Sequence, residues 1–205
     1  MESLDKVIGI LKKGGIGVMP TDTILGLVGS ALNEKTVEKM YEVRKRKPDK
    51  PFITLIHSIE DLKLFGIKPE SDTLEILNKY WPGKVSIIMP IIQDKKKDLD
   101  SRLHGNDNTG GKFEYLHRGT NSLAFRVPKC KWLRDLLKET GPLAAPSANP
   151  EGLPPAGNIT EARKYFGEQV DFYLAGRKYE GKPSTLIRIK DGKIEVIREG
   201  AVEIS

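Results

Sequence analysis

The chain is organised around residues 141–152, GPLAAPSANPEG, in which a short apolar run ends abruptly in a polar turn. Residues 143–145 predict the end of a buried strand, because Pro146 lacks a backbone donor and restricts φ. Ser147 and Asn149 stand two apart, so in an extended or turn conformation their side chains project the same way. Ligands often bind at strand ends in open α/β sheets. The two side chains equally suit a plain turn that they satisfy themselves.

The composition indicates a globular protein with an excess of basic residues. A length of 205 residues suits one substantial core, or less readily two small ones. The balance of 34 basic to 28 acidic residues gives a net charge of +6, which favours anionic partners such as nucleotides, phosphates or nucleic acid. Cys130 has no partner cysteine, which suits a reducing compartment. The sequence has neither a run as apolar as a membrane span nor a secretion signal, so we expect a cytoplasmic protein without a membrane partner.

Apolar residues recur with helical spacing after several polar residues that can cap a helix. The predicted helix starts are Ser3, Asn33, Ser58, Ser71 and either Asn158 or Thr160, with a further helix around 132–137. β-branched and aromatic runs lie between these helices. The predicted strands are residues 16–19, 52–56, 85–90, 122–128, 143–145, 170–174, 185–189 and 193–197. The alternation closes in a hairpin and predicts one α/β domain with a mixed sheet over residues 1–205.

Residues 93–119 break the pattern. They are rich in Lys, Asp, Asn and Gly and show no sustained period. We therefore predict a mobile polar insertion at the surface. His104 and His117 lie in it or at its edge, and we expect both to be solvated.

Several familiar catalytic motifs are missing from the sequence. It contains no P-loop, no dinucleotide-binding glycine pattern after the first strand, no zinc-type Cys/His cluster and no GxSxG elbow. Short hydroxyl and amide side chains at strand ends remain, with arginines between them. They are Thr21, Thr23, Arg44, Arg46, Ser122, Arg126, Ser147, Asn149, Ser184, Thr185 and Arg198. Together they predict a pocket that binds anions and acts by proximity and charge stabilisation, as in phosphoryl or nucleotidyl transfer.

Two basic features have alternative interpretations. Arg126 lies in an otherwise apolar strand and needs an anionic partner, either an internal carboxylate or a ligand. The cluster at 44–47 could be a solvated helix end favoured by the helix dipole. Pro48 and Pro51 stiffen the segment that follows, which favours a position near a strand entrance.

Seven landmarks in order resemble the YrdC/Sua5 family of threonylcarbamoyl-AMP synthases. PTDTILGL at 20–27 resembles the signature PTDTxYGL, and a basic K-x-R-like segment precedes Pro51. The other landmarks are WPG at 81–83, LAFRVP at 123–128, APSAN at 145–149, Ser184-Thr185, and Arg198 followed by Gly200. The chain departs from the family pattern at Leu25 for Tyr, Arg44 for Lys and Lys47 for Pro, and by the insertion.

The resemblance implies a YrdC-like fold, an open twisted mixed α/β sheet with flanking helices and a basic concave pocket. It also implies that L-threonine, bicarbonate and ATP give threonylcarbamoyl-adenylate and diphosphate, for t6A modification at position 37 of tRNA. Mg2+ would be bound through the triphosphate. Further candidate partners are tRNA and the downstream threonylcarbamoyl-transferase proteins.

The resemblance assigns residues to two substrates. The threonine site would comprise Thr21, Thr23, Arg126, Ala145 and Ser184. The ATP site would comprise Arg44, Arg46, Ser122, Ser147, Asn149, Pro155 and Arg198. Arg44, Arg46, Ser147 and Asn149 would act in catalysis, and no protein side chain is expected to bind a metal. The alternative is an RNA-binding YrdC-like paralogue without robust synthase activity, which would use the same basic surface.

Overall fold

The computed structural model describes residues 3–91, 111–175, 181–190 and 192–204. The strands are β1 (Ile16–Pro20), β2 (Leu25–Ser30), β3 (Ile53–Leu55), β4 (Val85–Pro90), β5 (Ser122–Arg126), β6 (Leu143–Ala144), β7 (Phe172–Tyr173), β8 (Thr185–Lys190) and β9 (Lys193–Arg198). The helices are α1 (Leu4–Lys12), α2 (Glu34–Arg44), α3 (Ser71–Tyr80), α4 (Glu114–His117), α5 (Lys131–Thr140) and α6 (Ile159–Phe166), with a 3₁₀ helix at Ile59–Phe65. In the described part of the chain, no helix has the length and apolar character needed to cross a bilayer.

The nine strands of the described residues form one mixed sheet in the order β7-β1-β2-β6-β3-β5-β4-β8-β9. The pairs β1·β7, β3·β5 and β4·β8 are parallel, and the other neighbours are antiparallel. The sheet is open, with β7 at one edge and β9 at the other. The predicted mixed, open α/β sheet is therefore confirmed.

Hydrophobic side chains cover both faces of the sheet. Leu27 and Val28 are adjacent in β2 but belong to different buried clusters. The cluster of Val28 includes Leu11 of α1 and Leu137 of α5, whereas that of Leu27 includes Met40 of α2. Because successive side chains of a strand point to opposite faces, α1 and α5 lie on one side of the sheet and α2 on the other.

Side-chain hydrogen bonds confirm several of the predicted helix caps. Ser3 Oγ accepts a hydrogen bond from the Lys6 backbone N–H at 3.3 Å, and Asn33 Oδ1 accepts one from Thr36 at 3.1 Å. Of the two candidates for the last helix, Asn158 is the cap, since its Oδ1 accepts from the Glu161 N–H at 2.9 Å. These caps satisfy backbone donors that have no partner inside the helix.

Strand β2 is absent from the predicted strands. Gly26 and Gly29 give this segment a low strand propensity. Tertiary packing explains Gly29, since a Cβ there would lie 2.6 Å from Thr36 Cγ2. The strand thus approaches α2 too closely for any side chain at this position.

Residues 111–119 correct the predicted boundary of the insertion. They are folded and include helix α4, with Phe113, Leu116 and His117 buried. The prediction that His117 is solvated is therefore wrong, because His117 follows Phe113 and Leu116 at helical spacing and lies on the same buried face. His104 and the rest of the predicted insertion, 93–110, lie outside the described residues.

Candidate active site

A cavity of about 510 Å³ opens beside the β1–β2 connection, the C-terminal end of α2, the turn after β6 and the start of β8. This volume is in the range of small-molecule and cofactor sites. Most of the predicted site residues meet in its wall. They are Thr21, Thr23, Arg44, Arg46, Ser122, Arg126, Ala145, Ser147, Pro155, Ser184 and Arg198.

The turn after β6 is fixed by hydrogen bonds to β2. The Leu27 N–H donates to the Pro146 carbonyl at 3.0 Å, and the Ala148 N–H donates to the Leu25 carbonyl at 2.9 Å. Between them, Gly26 and Ser147 form an isolated antiparallel bridge. The turn therefore lies alongside the first half of β2, which places the Ser147 side chain at the cavity wall.

Asn149, which the resemblance assigns to the ATP site, is not among the residues that line the cavity. It is buried, and its carbonyl oxygens hold Arg44: Nε donates to the backbone O at 2.8 Å and Nη2 to Oδ1 at 3.3 Å. Its Nδ2 donates to the carbonyls of Pro150 and Leu153, at 2.9 and 2.7 Å. Asn149 thus orients an arginine of the cavity instead of facing the cavity itself.

Arg44 is a buried, directed cation. Besides Asn149 it contacts Ser147, whose Oγ accepts from Nη2 at 3.3 Å. Its Nη1 is buried and, among the described residues, has no hydrogen-bond partner. Burial first, and then the charge of Arg46, lower the pKa of Arg44 to about 10. Both effects disfavour the cation, so an anion beside it would be stabilised.

Glu151 joins the turn to the basic segment after α2. Its backbone N–H donates to the Arg44 carbonyl at 2.8 Å. Its carboxylate accepts from the Lys47 N–H at 2.6 Å and from Lys50 Nζ at 2.7 Å. These contacts hold the pKa of Glu151 at about 2, chiefly through the hydrogen bond from Lys50. The segment at 44–47 is thereby attached to the cavity, which decides against the interpretation as a freely solvated helix end.

Arg46 is oriented by a carbonyl and an aromatic ring. Its Nε donates to the Lys50 carbonyl at 2.9 Å, and its guanidinium lies 5.4 Å from the centroid of the Phe52 ring. Phe52 stacks on Tyr41 of α2, with 4.1 Å between ring centroids. A rigid aromatic pair therefore supports the arginine from behind.

Arg126 has an internal carboxylate partner, Asp22, which sequence reasoning did not identify. Arg126 Nη2 lies 3.1 Å from Asp22 Oδ1, and the two side chains are only 4% and 5% exposed. Nη1 donates to Thr23 Oγ1 at 3.1 Å. Burial lowers the pKa of Arg126, while the charge of Asp22 opposes that effect. Arg126 lines the cavity all the same, so the internal pair and a ligand contact are compatible.

Ser184 and its neighbours form another part of the cavity wall. Its Oγ lies 2.8 Å from Ser86 Oγ, and its carbonyl accepts from Arg198 Nη2 at 2.8 Å. Burial and the charge of Arg46 lower the pKa of Arg198. Thr185, a candidate in the sequence, lies outside the cavity wall, because its Oγ1 donates to the Val202 carbonyl at 2.6 Å.

The arginines of the cavity differ in their counter-charges. Within residues 3–91, 111–175, 181–190 and 192–204, no carboxylate oxygen lies within 4.0 Å of a guanidinium nitrogen of Arg44, Arg46 or Arg198. Arg188 also lines the cavity and lies 3.5 Å from Glu195 on the exposed hairpin. We refer to Arg44, Arg46 and Arg198 as the arginine cluster. Its charge suits a polyanion such as a triphosphate.

Sequence reasoning missed several lining residues, notably Phe52, Thr120 and Arg188. Phe52 reads as an ordinary strand residue, and Arg188 as an exposed position of a hairpin. Asp22 carried a signal, since it stands between two threonines where an apolar strand ends. The described residues also contain no group of three or more His, Cys, Asp or Glu side chains arranged to hold a metal ion.

The fold and cavity define an α/β protein that can bind anionic substrates beside an open mixed sheet. The family model Sua5_yciO_yrdC, described as "Telomere recombination", matches residues 9–200. The chain therefore belongs to the Sua5–YciO–YrdC family.

Its relatives carry consistent names. A putative threonylcarbamoyl-AMP synthase of Methanocaldococcus jannaschii is 30% identical over 99% of this chain and 90% of its own length. The threonylcarbamoyl-AMP synthase of Marinobacter nauticus is 30% identical over 88% and 87%. The crystal structure of Pyrococcus abyssi Sua5 complexed with L-threonine has a TM-score of 0.79 and 23% identity, covering 96% of this chain and 54% of that one. This chain thus spans about half of the Sua5 protein, and that likeness shows the shared fold.

Proposed function

We propose that this protein is a threonylcarbamoyl-AMP synthase, which makes threonylcarbamoyl-adenylate and diphosphate from L-threonine, bicarbonate and ATP for t6A modification at position 37 of tRNA. Membership of the family and the names of its relatives support an enzyme of the transferase class. The nucleotidyltransferase subclass follows from the adenylate product. The observation that carries the proposal is one cavity whose wall contains both the arginine cluster and several hydroxyl side chains together with Arg126.

We assign Arg126 and several hydroxyl side chains of the cavity wall to the threonine site. Thr21, Thr23 and Ser184 offer hydroxyl groups there, and Arg126 offers a guanidinium for the carboxylate, with Ala145 in the same wall. Thr21 Oγ1 already donates to the Ile24 carbonyl at 2.6 Å, so it is held in place before a ligand arrives. Such preorganisation lowers the entropic cost of positioning the amino acid.

We assign the arginine cluster to the triphosphate of ATP, together with Ser122, Ser147 and Pro155 in the same wall. The threonine amine would attack bicarbonate, with loss of water, or CO2, with loss of a proton, to form a carbamate. A carbamate oxygen would then bond to the α-phosphorus, and diphosphate would leave with the electron pair of the broken P–O bond. Arg44, Arg46 and Ser147 would stabilise the charge that develops on the phosphate oxygens. Asn149 would act through Arg44.

Mg2+ would enter this site as part of the substrate, bound to the triphosphate. Asp22 contacts Arg126, and Glu151 contacts Arg44 through its backbone; the carboxylates of both already have cationic partners, Arg126 and Lys50. Phosphate oxygens and water would therefore supply its ligands.

Release of diphosphate from ATP tests the function directly. We expect release that requires both L-threonine and bicarbonate, with threonylcarbamoyl-adenylate as the second product. Release that persists when threonine is omitted would contradict the proposal.

A pair of matched arginine variants tests the site. Arg46→Ala removes a cavity arginine that lies over Phe52, whereas Arg163→Ala removes one that lies 4.2 Å from the Tyr173 ring and outside the cavity wall. We expect a loss of at least about tenfold in kcat/KM for ATP in Arg46→Ala only, since a charge-assisted hydrogen bond contributes about 1.5–3 kcal/mol. Equal activities of the two variants would exclude the assigned phosphate site.

The downstream partners are a further part of the proposal. The adenylate is reactive, so its threonylcarbamoyl group must pass to tRNA through a transferase protein. The chain's positive charge would also attract tRNA non-specifically. Tight tRNA binding that survives high salt, without any turnover of ATP, would instead indicate the RNA-binding paralogue.

A further inference from the structure

The cavity has to sort two anionic substrates that both suit arginine. Among the described residues, the arginine cluster lacks a carboxylate within 4.0 Å, whereas Arg126 has Asp22 at 3.1 Å. The arginines that line this one cavity therefore differ in their counter-charge, and the difference between Arg126 and the arginine cluster arises from a single carboxylate.

Contacts within the protein hold the Asp22 carboxylate in place. Its Oδ2 accepts a hydrogen bond from the Lys129 backbone N–H at 3.1 Å, which fixes the carboxylate beside the end of β5. Its side chain is 5% exposed and lies outside the cavity wall, behind Arg126. Asp22 can thus offset the positive charge that Arg126 presents to a ligand. It does so without occupying the binding site.

We infer that Asp22 determines which arginines of the cavity each substrate contacts, by neutralising Arg126 so that Arg126 accepts a monocarboxylate and polyphosphate is directed to the arginine cluster. The inference rests on the proposed function for the identity of the two substrates. Near a neutral ion pair, a carboxylate is bound mainly by directed hydrogen bonds, which a guanidinium supplies in a planar array. A group with two or more negative charges gains little there and is repelled by Asp22. It gains far more at the arginine cluster.

The buried atoms of the pair agree with this role. Arg126 Nη1 donates to Thr23, and Nη2 forms an ion pair with Asp22. In the described part of the chain, Arg126 Nε and Asp22 Oδ1 are both buried without a hydrogen-bond partner, so the pair retains unused hydrogen-bonding capacity. The charge of Arg198 adds to burial in lowering the pKa of Arg126. A carboxylate ligand beside Arg126 would offset the effects of burial and of Arg198. Polyphosphate bound there would leave the arginine cluster without a counter-charge.

The test measures binding of L-threonine by isothermal titration calorimetry with and without diphosphate, on the full chain. In the wild type we expect diphosphate to bind at the arginine cluster and to leave threonine affinity almost unchanged. Asp22→Asn keeps an acceptor for the Lys129 N–H but removes the charge. In that variant diphosphate should compete, raising the apparent Kd for threonine by about tenfold or more, less at high salt.

Asp171→Asn is the matched control. Asp171 also accepts from a backbone N–H, that of Ile16 at 2.7 Å, and also pairs with a cation, Lys39 at 3.1 Å, but it lies outside the cavity wall. This variant should behave like the wild type. Competition by diphosphate in the wild type, or its absence in folded Asp22→Asn, would overturn the inference.

A measurement on the wild type covers the case in which Asp22→Asn fails to fold. The phosphonic acid analogue of threonine carries an additional negative charge in place of the carboxylate. We expect it to bind at least about tenfold more weakly than threonine in spite of the basic cavity. Equal or tighter binding would contradict the role of Asp22.

The two proposals can fail separately. A wild type that binds threonine and diphosphate independently but makes no threonylcarbamoyl-adenylate would overturn the synthase and leave the role of Asp22 standing. An active synthase in which Asp22→Asn keeps the substrates apart would do the reverse.

Discussion

Arg44 and Asn149, which are 105 residues apart in the chain, meet through two hydrogen bonds, from Nε to the backbone carbonyl at 2.8 Å and from Nη2 to Oδ1 at 3.3 Å. The side-chain amide of Asn149 therefore positions the Arg44 guanidinium instead of contacting a ligand. Catalytic arginines are most effective when they are oriented before the charge develops. The pair therefore connects the packing of a turn to the proposed chemistry.

Asn149→Ala should lower activity by misplacing Arg44. It removes one acceptor and the two donor contacts of Nδ2, so we expect a loss of about 2–3 kcal/mol of stability. We also expect a rise of about tenfold in KM for ATP. The control is Asn158→Ala, which removes a helix cap and costs about 1 kcal/mol. Steady-state kinetics should show an altered KM in the first variant alone, and the same KM in both would refute a positioning role.

Arg126→Ala should damage threonine use and stability together. The resemblance assigns Arg126 to the threonine site, and the structure adds that Asp22 would be left buried without its partner. Breaking such a pair costs about 3–5 kcal/mol. We expect kcat/KM for threonine to fall about 10- to 100-fold, as for loss of a charged hydrogen bond.

The double variant Arg126→Ala with Asp22→Ala separates these two effects. Removing both charges should restore much of the stability, because no ion is left buried alone. Threonine use should stay low. Chemical denaturation gives the stability, and threonine-dependent release of diphosphate gives the activity. Recovery of threonine use in the double variant would show that Arg126 has no direct role.

Glu151 should make the stability of the protein depend on pH. Lys50 and the Lys47 N–H hold its pKa at about 2, below the ordinary value of 4.5. The folded state therefore prefers the carboxylate. Its contribution should be complete above about pH 4.5 and should be lost as the pH falls toward 2.

Glu151→Gln checks this sign. The difference in unfolding free energy between wild type and variant should be larger at pH 7 than at pH 3. Glu139→Gln is the control, since that exposed carboxylate pairs with the exposed Lys12 at 3.4 Å, and such pairs contribute little. A difference for Glu151→Gln that grows at low pH would contradict the expectation.

Two glycine substitutions should change stability in opposite directions. A Cβ on Gly17 would lie 2.3 Å from Phe172 Cδ1, so Gly17→Ala should cost about 1–3 kcal/mol through overpacking. Gly9 lies within α1, and a Cβ there would meet nothing within 4 Å. Gly9→Ala should therefore stabilise the protein by about 0.5–1 kcal/mol. Thermal unfolding should show the two shifts, and a destabilised Gly9→Ala would contradict the described packing of α1.

Local patterns predicted much of the fold. The caps Ser3 and Asn33 and the hairpin of β8 and β9 were correct, because each depends on residues only a few positions apart. The strand β2 was missed for the complementary reason. Its glycines are explained by the approach of α2, which no local pattern contains.

The sequence by itself determined which chemical groups are available: hydroxyls and arginines at strand ends, with motifs that resemble a known family. Only the tertiary structure decided how they are paired, placing Asn149 behind Arg44 and Asp22 behind Arg126. Both pairs join residues about a hundred positions apart. The physical reason is that a buried cation takes whichever partners the sheet brings within hydrogen-bonding distance, and the order of the strands sets that choice.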